Sequence, residues 1–100
     1  MTTEIQERIE EELQIKRPNY WRVILHNDNV TTMEFVIFLL KQVFHKTTQE
    51  ATEIMLIIHE KGQAITGIFT HEIAENKMNL CISAARKQGF PLTASIEEEE

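Results

Sequence analysis

Residues 20–44, YWRVILHNDNVTTMEFVIFLLKQVF, contain three successive local signals that decide the fold. The stretch begins with aromatic and β-branched side chains, which predict a strand from Tyr20 to His26. Asn27-Asp28-Asn29 follows and predicts a turn, because Asn and Asp side chains hydrogen-bond to nearby backbone groups. The remainder is mostly apolar with helical spacing, so we expect strand, turn and helix in succession.

The predicted helix has more apolar side chains than one core-facing stripe needs. Thr31 followed by Glu34 fits a capping box, which predicts a helix from about Thr32 to about Phe44. Apolar residues extend well beyond the stripe that begins at Met33, giving a wider arc than packing against a core requires. Part of this surface is expected to line a pocket, although a densely filled core would explain the same pattern.

The residues after this helix contain a second helix and a second strand. Thr47 and Glu50 form another capping box, and Gly62 is a suitable C-cap for the helix between them. His59 lies on the flank of the apolar stripe of that helix. The alternating, β-rich segment 63–69 then predicts a strand.

The last third of the chain completes the predicted fold. Thr70 is the expected N-cap of a third helix that ends near Gly89, and a short strand is expected over residues 92–96. Residues 97–100 are expected to form a solvated acidic tail. The order β-α-α-β-α-β predicts an α+β fold in which a three-stranded antiparallel sheet packs against three helices.

Composition limits the class of protein. A length of 100 residues fits one domain, and a net charge of −6 without a basic cluster argues against a nucleic-acid partner. No apolar run approaches the roughly 18 residues needed to span a membrane, and no secretory signal is present, so we expect a cytoplasmic protein. Cys81 is the one cysteine of the sequence, so no intrachain disulfide can form. We expect its side chain to be buried as a small hydrophobic residue.

Residues 1–18 are expected to form a mobile N-terminal extension. The segment is polar and strongly acidic. Arg17-Pro18 marks its boundary, because a residue before proline avoids the helical region. The folded core is therefore expected over residues 19–96.

The groups at the edges of the apolar segments suit a ligand that has an apolar side chain beside a cationic amine. An α-amino group has several N–H donors and needs acceptors, such as the Asp28 carboxylate, the Asn27 amide oxygen and a neutral His59 nitrogen. Charge-assisted hydrogen bonds contribute about 1.5–3 kcal/mol each. From the residues alone, an ordinary turn and a structural histidine remain the simpler alternatives.

The motifs of these segments resemble the signature of the ClpS family. The resemblance is carried by VILHNDN at residues 23–29, by Thr31 with MEFV at residues 33–36, and by ATEIMLIIH at residues 51–59. It continues through Gly62, Ala64, Gly67, Phe69-Thr70, Glu72, Ala74-Glu75 and Lys77. It covers about residues 20–96, and the combination of motifs at this spacing is specific.

ClpS proteins are adaptors of the bacterial N-end rule, and they are not enzymes. They bind a protein by a destabilising N-terminal residue, or N-degron (Leu, Phe, Tyr or Trp), and deliver it to the AAA+ unfoldase ClpA or ClpC, which feeds the ClpP peptidase. The family fold is a three-stranded sheet with three helices. The resemblance thus implies a monomeric adaptor with no catalytic residue, no cofactor and no metal.

Carried over residue by residue, the resemblance implies a role for each part of the site. Asn27, Asp28 and His59 would bind the α-amino group of the substrate, and Asn29 would contact the peptide backbone. Met33 would act as a gate, because a bulky group near the ligand Cβ clashes with the second branch of a β-branched residue. The side-chain pocket would be lined by Thr31, Met33, Val36, Met55, Ile58 and Leu92.

The resemblance also implies a second functional surface. Glu72 and Lys77 match positions where the family docks on the N-terminal domain of the unfoldase. The extension of residues 1–18 would assist the transfer of the substrate.

Three positions depart from the family pattern. Asn29 stands where many members have a second acidic residue, Val30 where an aromatic is common, and Thr32 where proline is common. The loss of a charge at Asn29 predicts a weaker contact with the second residue of the peptide.

Two other functional classes compete with the adaptor. A hydrolase would use His59 with Asp28 or Cys81, although no oxyanion hole or nucleophile elbow is apparent in the sequence. A non-enzymatic scaffold module on a similar small α+β fold would have another protein partner and no need of the three amine-binding residues.

Overall fold

A computed structural model of the protein describes residues 19–99. The predicted extension of residues 1–18 and the last residue of the predicted tail, Glu100, lie outside this range. The elements follow in the predicted order, and their bounds are β1 Tyr20–His26, α1 Met33–Gln42, α2 Thr48–Lys61, β2 Gln63–Thr70, α3 His71–Lys87 and β3 Thr93–Glu98. The α+β fold with three helices and a three-stranded antiparallel sheet is therefore confirmed.

The sheet has β1 at its centre, in the order β2-β1-β3, with both pairings antiparallel. Val23 and Leu25 of β1 belong to the core, and Ile24 between them is also buried. Three consecutive residues of β1 are therefore buried although strand side chains alternate between the two faces of a sheet, so the sequence of β1 is an unbroken apolar run. At its C-terminal end, His26 pairs with Gln63 of β2 and Thr93 of β3.

The core lies between the sheet and the helices. Each helix supplies small or branched side chains to it, and the buried members of this cluster are Val23, Leu25, Val36, Leu39, Leu40, Phe44, Ala51, Met55, Ile58, Ala74, Cys81, Ala85 and Leu92. Cys81 is 0% exposed, as expected of a small hydrophobe. Burial raises the pKa of its thiol to about 12, although Lys77 opposes this shift, so the thiol is un-ionised at neutral pH.

The helix ends show which local signals were read correctly. Thr47 and Glu50 form the predicted capping box, with each side chain accepting from the backbone N–H of the other. Gly62 ends α2 with φ of 91°, a left-handed conformation that residues with a Cβ rarely adopt. Thr70 is the N-cap of α3 by position, but its side chain makes no capping hydrogen bond.

The predicted start of α1 was wrong by one residue. Thr32 is the N-cap, and its hydroxyl accepts from the Phe35 N–H at 3.2 Å. The Thr31 hydroxyl instead donates to the Asp28 carboxylate at 2.7 Å. The helix also stops at Gln42 rather than near Phe44.

The acidic end of the chain belongs partly to the sheet. β3 runs to Glu98, so Glu97 and Glu98 are strand residues rather than part of a solvated tail. They extend the strand because Trp21 and Arg22 of β1 offer pairing partners for them.

Within residues 19–99, no helix has the length and apolar character that crossing a membrane requires.

Candidate functional site

A cavity of about 420 Å³ opens between the β1–α1 turn, the first half of α1, and α2. Its size lies within the range of roughly 300–1,000 Å³ that is usual for sites of small ligands. One side is polar and the other is apolar. The lining residues are Asn27, Asp28, Asn29, Val30, Thr31, Thr32, Met33, Val36, Met55, Ile58 and His59.

Backbone pairing brings the polar side of the cavity together. The Asn27 N–H donates to the Gly62 carbonyl at 2.8 Å, which ties the turn after β1 to the end of α2. His59 lies in the last turn of α2 and lines the same cavity as the turn after β1. Asn27 and His59 are both exposed and lie at the rim.

Asp28 organises the turn with its own carboxylate. Its Oδ1 accepts from the backbone N–H groups of Val30 at 2.8 Å and Thr31 at 2.7 Å, and its Oδ2 accepts from the Thr31 hydroxyl at 2.7 Å. A carboxylate offers about four lone pairs, so these three bonds leave acceptor capacity for a ligand.

The protonation state of Asp28 follows from the same contacts. Burial raises the pKa of the carboxyl, but the hydrogen bonds from Thr31 and Val30, with the attraction of Arg86, outweigh it. The pKa therefore falls below its ordinary value of 3.8. The rim of the cavity carries a negative charge at neutral pH.

The apolar side of the cavity is formed by facing residues of α1 and α2. Val36, Met55 and Ile58 are nearly fully buried and belong to the core. Met33 is 44% exposed and begins α1. The arrangement can take up an apolar side chain while a cationic group of the same ligand stays near Asp28.

Nine of the predicted binding-site residues line this cavity, and one does not. The nine are Asn27, Asp28, Asn29, Thr31, Met33, Val36, Met55, Ile58 and His59. Leu92 is not among the lining residues; it is 1% exposed and packed within the core, and its place in the pocket stays a prediction. Val30 and Thr32 also line the cavity; the sequence singled them out only as departures from the family pattern.

The two predicted docking residues lie on α3, away from the cavity. Glu72 is exposed in the first turn of α3. The Lys77 ammonium donates to the Val43 carbonyl at 2.6 Å and lies 5.8 Å and 5.1 Å from the ring centres of Phe44 and Phe69. Lys77 is therefore half-buried and engaged with the C-terminal end of α1.

The structure keeps Cys81 apart from His59, so the form of the hydrolase alternative that uses Cys81 is not assembled. Cys81 is fully buried on α3, and it is absent from the cavity that Asp28 and His59 line. Within residues 19–99, no three His, Cys, Asp or Glu side chains are grouped so that they could hold a metal ion.

Comparison with known proteins shows which family the chain is similar to. Residues 16–95 match the family model described as "ATP-dependent Clp protease adaptor protein ClpS". Two proteins named ATP-dependent Clp protease adapter protein ClpS are each 49% identical to the chain. The one from Lawsonia intracellularis aligns over 84 residues, which is 84% of this chain and 77% of that protein. The one from Nitratidesulfovibrio vulgaris (Miyazaki F) aligns over 85 residues, 85% of each chain.

A solved structure shows the same architecture. It is described as Agrobacterium tumefaciens ClpS2 bound to L-phenylalaninamide. The two chains are 34% identical with a TM-score of 0.81, and the match covers 83% of this chain and 100% of that one.

Proposed function

The chain belongs to the ClpS family of Clp protease adaptor proteins, and we propose that it is a non-enzymatic adaptor of the N-end rule. It binds N-degron substrate proteins by a first residue that is Leu, Phe, Tyr or Trp. It delivers them, as a cytoplasmic monomer without a cofactor, to the ClpA or ClpC unfoldase for degradation by ClpP. The observation that carries the proposal is the cavity in which an apolar floor meets the Asn27, Asp28 and His59 rim.

The polar rim recognises the free amine. An α-ammonium group donates up to three hydrogen bonds, and the rim offers the Asp28 carboxylate, the Asn27 amide oxygen and a His59 ring nitrogen. Only Asp28 carries a permanent negative charge among these three groups. An acetylated N-terminus would lose both the charge and donors, so the rim discriminates a chain end from an internal residue.

The apolar floor recognises the first side chain. Val36, Met55 and Ile58 surround it, and Met33 at the mouth of the cavity excludes residues that branch at Cβ. The ligand of the Agrobacterium relative fits this assignment, because L-phenylalaninamide combines a free amine, a benzyl side chain and an amide carbonyl. These are the groups that the first residue of a peptide presents.

The expected affinity follows from these contacts. Burial of a Leu or Phe side chain contributes about 1.5–3 kcal/mol, and each charge-assisted hydrogen bond contributes about 1.5–3 kcal/mol. Loss of translational, rotational and peptide freedom opposes them. A Kd of about 1 μM, the strength we expect for a short peptide, corresponds to about −8 kcal/mol, which requires these contacts to act near the upper end of their ranges.

The delivery surface is proposed on α3. Glu72 is exposed and acidic, and it can contact the N-terminal domain of the unfoldase directly. The Lys77 ammonium is directed to the Val43 carbonyl. Because the side chain of Lys77 remains partly exposed, it contributes to this surface beside Glu72. The segment of residues 1–18 is proposed to assist the transfer, and Asn29 to contact the backbone of the bound peptide.

A pair of peptides tests the proposal. One begins with a free Leu and carries fluorescein at its C-terminal end, and its twin is N-acetylated. The free peptide should bind in the micromolar range, and the acetylated one at least about tenfold more weakly, since a charge-assisted bond is lost. Equal affinity for the twins, or binding of neither, would contradict the proposal and favour a scaffold; cleavage detected by mass spectrometry would indicate an enzyme.

A further inference from the structure

The three-stranded sheet has a second face that does not contribute to the core. Strand side chains alternate between the two faces of a sheet, and Val23 and Leu25 of β1 belong to the core cluster. Ile24 lies between them and is buried, but it is not a member of that cluster. Ile24 therefore marks the opposite face of the sheet, which we call the outer face.

The strand register identifies the neighbours of Ile24 on the outer face. Residues that are directly opposite each other in antiparallel strands share a face, and Ile24 is paired with Ile65 of β2. Arg22, two residues earlier on β1, is paired with Ile68. Ile24, Ile65 and Ile68 thus form one apolar surface across β1 and β2, the isoleucine patch.

The part of the chain that the structure describes leaves the isoleucine patch open to water. Ile65 is 49% exposed and Ile68 is 46% exposed, although both are large apolar side chains. The buried residues of all three helices lie in one cluster with Val23 and Leu25, so within residues 19–99 the helices pack on the inner face. An apolar patch that is left on the surface is suited to contact with another segment or molecule.

The chain that precedes β1 begins on this same face. Tyr20 is the first residue of β1, is exposed, and lies on the outer face because it is four residues from Ile24. Four residues of strand measure about 13 Å, and residues 14–19 can span about 20 Å when extended. Leu13 and the residues before it can therefore return along the sheet and reach the patch.

The sequence of this preceding segment suits an apolar patch of that size. Ile5, Ile9 and Leu13 recur at intervals of four among polar residues, so a helical backbone would place all three on one side. Three apolar side chains are too few to form a core of their own, but they match a patch of three isoleucines. Because the segment is joined to β1, its effective concentration at the sheet is on the order of millimolar, which favours it over a second copy of the chain.

We propose that residues 5–13 dock on the outer face of the sheet, with Ile5, Ile9 and Leu13 against the isoleucine patch, when no unfoldase is bound. The contact is intramolecular, and none of the patch residues lines the amine-binding cavity. It is reversible, so the segment leaves the patch when it assists the transfer of a substrate. The inference goes beyond the proposed function and does not depend on the ligand of the cavity.

Methyl NMR of the full chain, labelled at the isoleucine δ1 carbons, observes the patch directly. Ile9→Ser removes the centre of the stripe, and Ile15→Ser is the matched control because the same substitution lies in the same segment but off the stripe. Ile9→Ser should move the Ile65 and Ile68 resonances toward their positions in a variant whose three stripe residues are all serine. Ile15→Ser should leave these resonances at the parent positions.

A second experiment changes the sheet and leaves the segment unaltered. Trypsin cleaves after Arg8, inside the proposed contact, and the cleavage rate follows the undocked population when docking is fast. Ile68→Ser should raise this rate about fivefold or more, because the burial of one isoleucine is lost. Ile57→Ser is the matched control, since Ile57 of α2 is also 46% exposed but lies away from the sheet, and it should be cleaved at the parent rate.

Two results would overturn the proposal: unmoved Ile65 and Ile68 resonances in Ile9→Ser, or a parent rate of cleavage after Arg8 in Ile68→Ser. Patch resonances that depend on protein concentration, together with a dimer in sedimentation, would also overturn it by identifying a second copy as the occupant. Should Ile68→Ser fail to fold, the NMR comparison carries the test, because Ile9 lies outside the folded residues 19–99.

Failure of the proposed function is recognised separately, by a parent protein that does not prefer the free-amine peptide over its acetylated twin. Neither the methyl spectra nor the trypsin cleavage requires a peptide. Both therefore report on the outer face of the sheet whatever the cavity binds.

Discussion

Replacing Asp28 by Asn should separate the charge of this side chain from its role in the turn. The amide oxygen can still accept from the backbone N–H groups of Val30 and Thr31, which the carboxylate contacts at 2.8 Å and 2.7 Å. The amide carries no negative charge for a bound ammonium. Asp28→Asn should therefore weaken binding of a free-Leu peptide by about 1.5–3 kcal/mol, or about 10- to 150-fold in Kd.

The assay is a fluorescence anisotropy titration with the free-Leu peptide and its acetylated twin. Glu53→Gln is the matched control, because Glu53 is an exposed residue of α2 outside the cavity and the substitution removes the same charge. The control should bind like the parent. Asp28→Asn should also lose most of the preference for the free amine. An affinity for the free peptide indistinguishable from that of the parent would refute the assignment of Asp28 as the charged acceptor.

The same variant should change the pH dependence of stability. The folded-state pKa of Asp28 lies below its ordinary value of 3.8, so its ionised form stabilises the fold. That contribution is fully present above about pH 3.8 and is lost as pH falls through the lower folded-state pKa. The gap in melting temperature between parent and Asp28→Asn should accordingly narrow on acidification, and a gap independent of pH would contradict the ionised Asp28.

Three other changes test the remaining parts of the site. Met33→Ala should admit Ile or Val as the first residue of a competing peptide, and no gain for these residues would show that Met33 is not the gate. Deletion of residues 2–17 should spare peptide binding but impair degradation in the presence of the unfoldase and peptidase; loss of peptide binding would instead place this segment at the cavity. Lys77→Met should lower the free energy of unfolding by about 1–2 kcal/mol, because the Val43 carbonyl loses a charged donor, and an unchanged melting temperature in a thermal denaturation would contradict that contact.

Structural features that depend on a few neighbouring residues were predicted correctly from the sequence. The capping box of Thr47 and Glu50 and the left-handed Gly62 both depend on hydrogen bonds or backbone angles within one helix turn. The apolar run of β1 predicted a strand, and Val23, Ile24 and Leu25 are all buried in the central strand of the sheet. The Asn27-Asp28-Asn29 turn and His59 were likewise recognisable as candidates for one site.

Errors arose where contacts that the local sequence does not specify decided the outcome. Thr31 and Thr32 both have hydroxyls that can cap α1, and in the structure the Thr31 hydroxyl donates to Asp28 while the Thr32 hydroxyl accepts from the Phe35 N–H. Glu97 and Glu98 read as tail residues because their charge suggested solvent. They joined β3 because β1 extends far enough to pair with them.

The sequence by itself determined the order of elements, the apolar excess of α1 and α2, and the residue types of a rim that can hold an amine. These features depend on local periodicity and on short-range hydrogen bonding, which neighbouring residues encode directly. Only the tertiary structure decided that Leu92 is packed within the core, and that Lys77 and Arg86 donate hydrogen bonds to backbone carbonyls. Such assignments require the distances between segments far apart in the chain, and those distances exist only after the sheet and helices have packed.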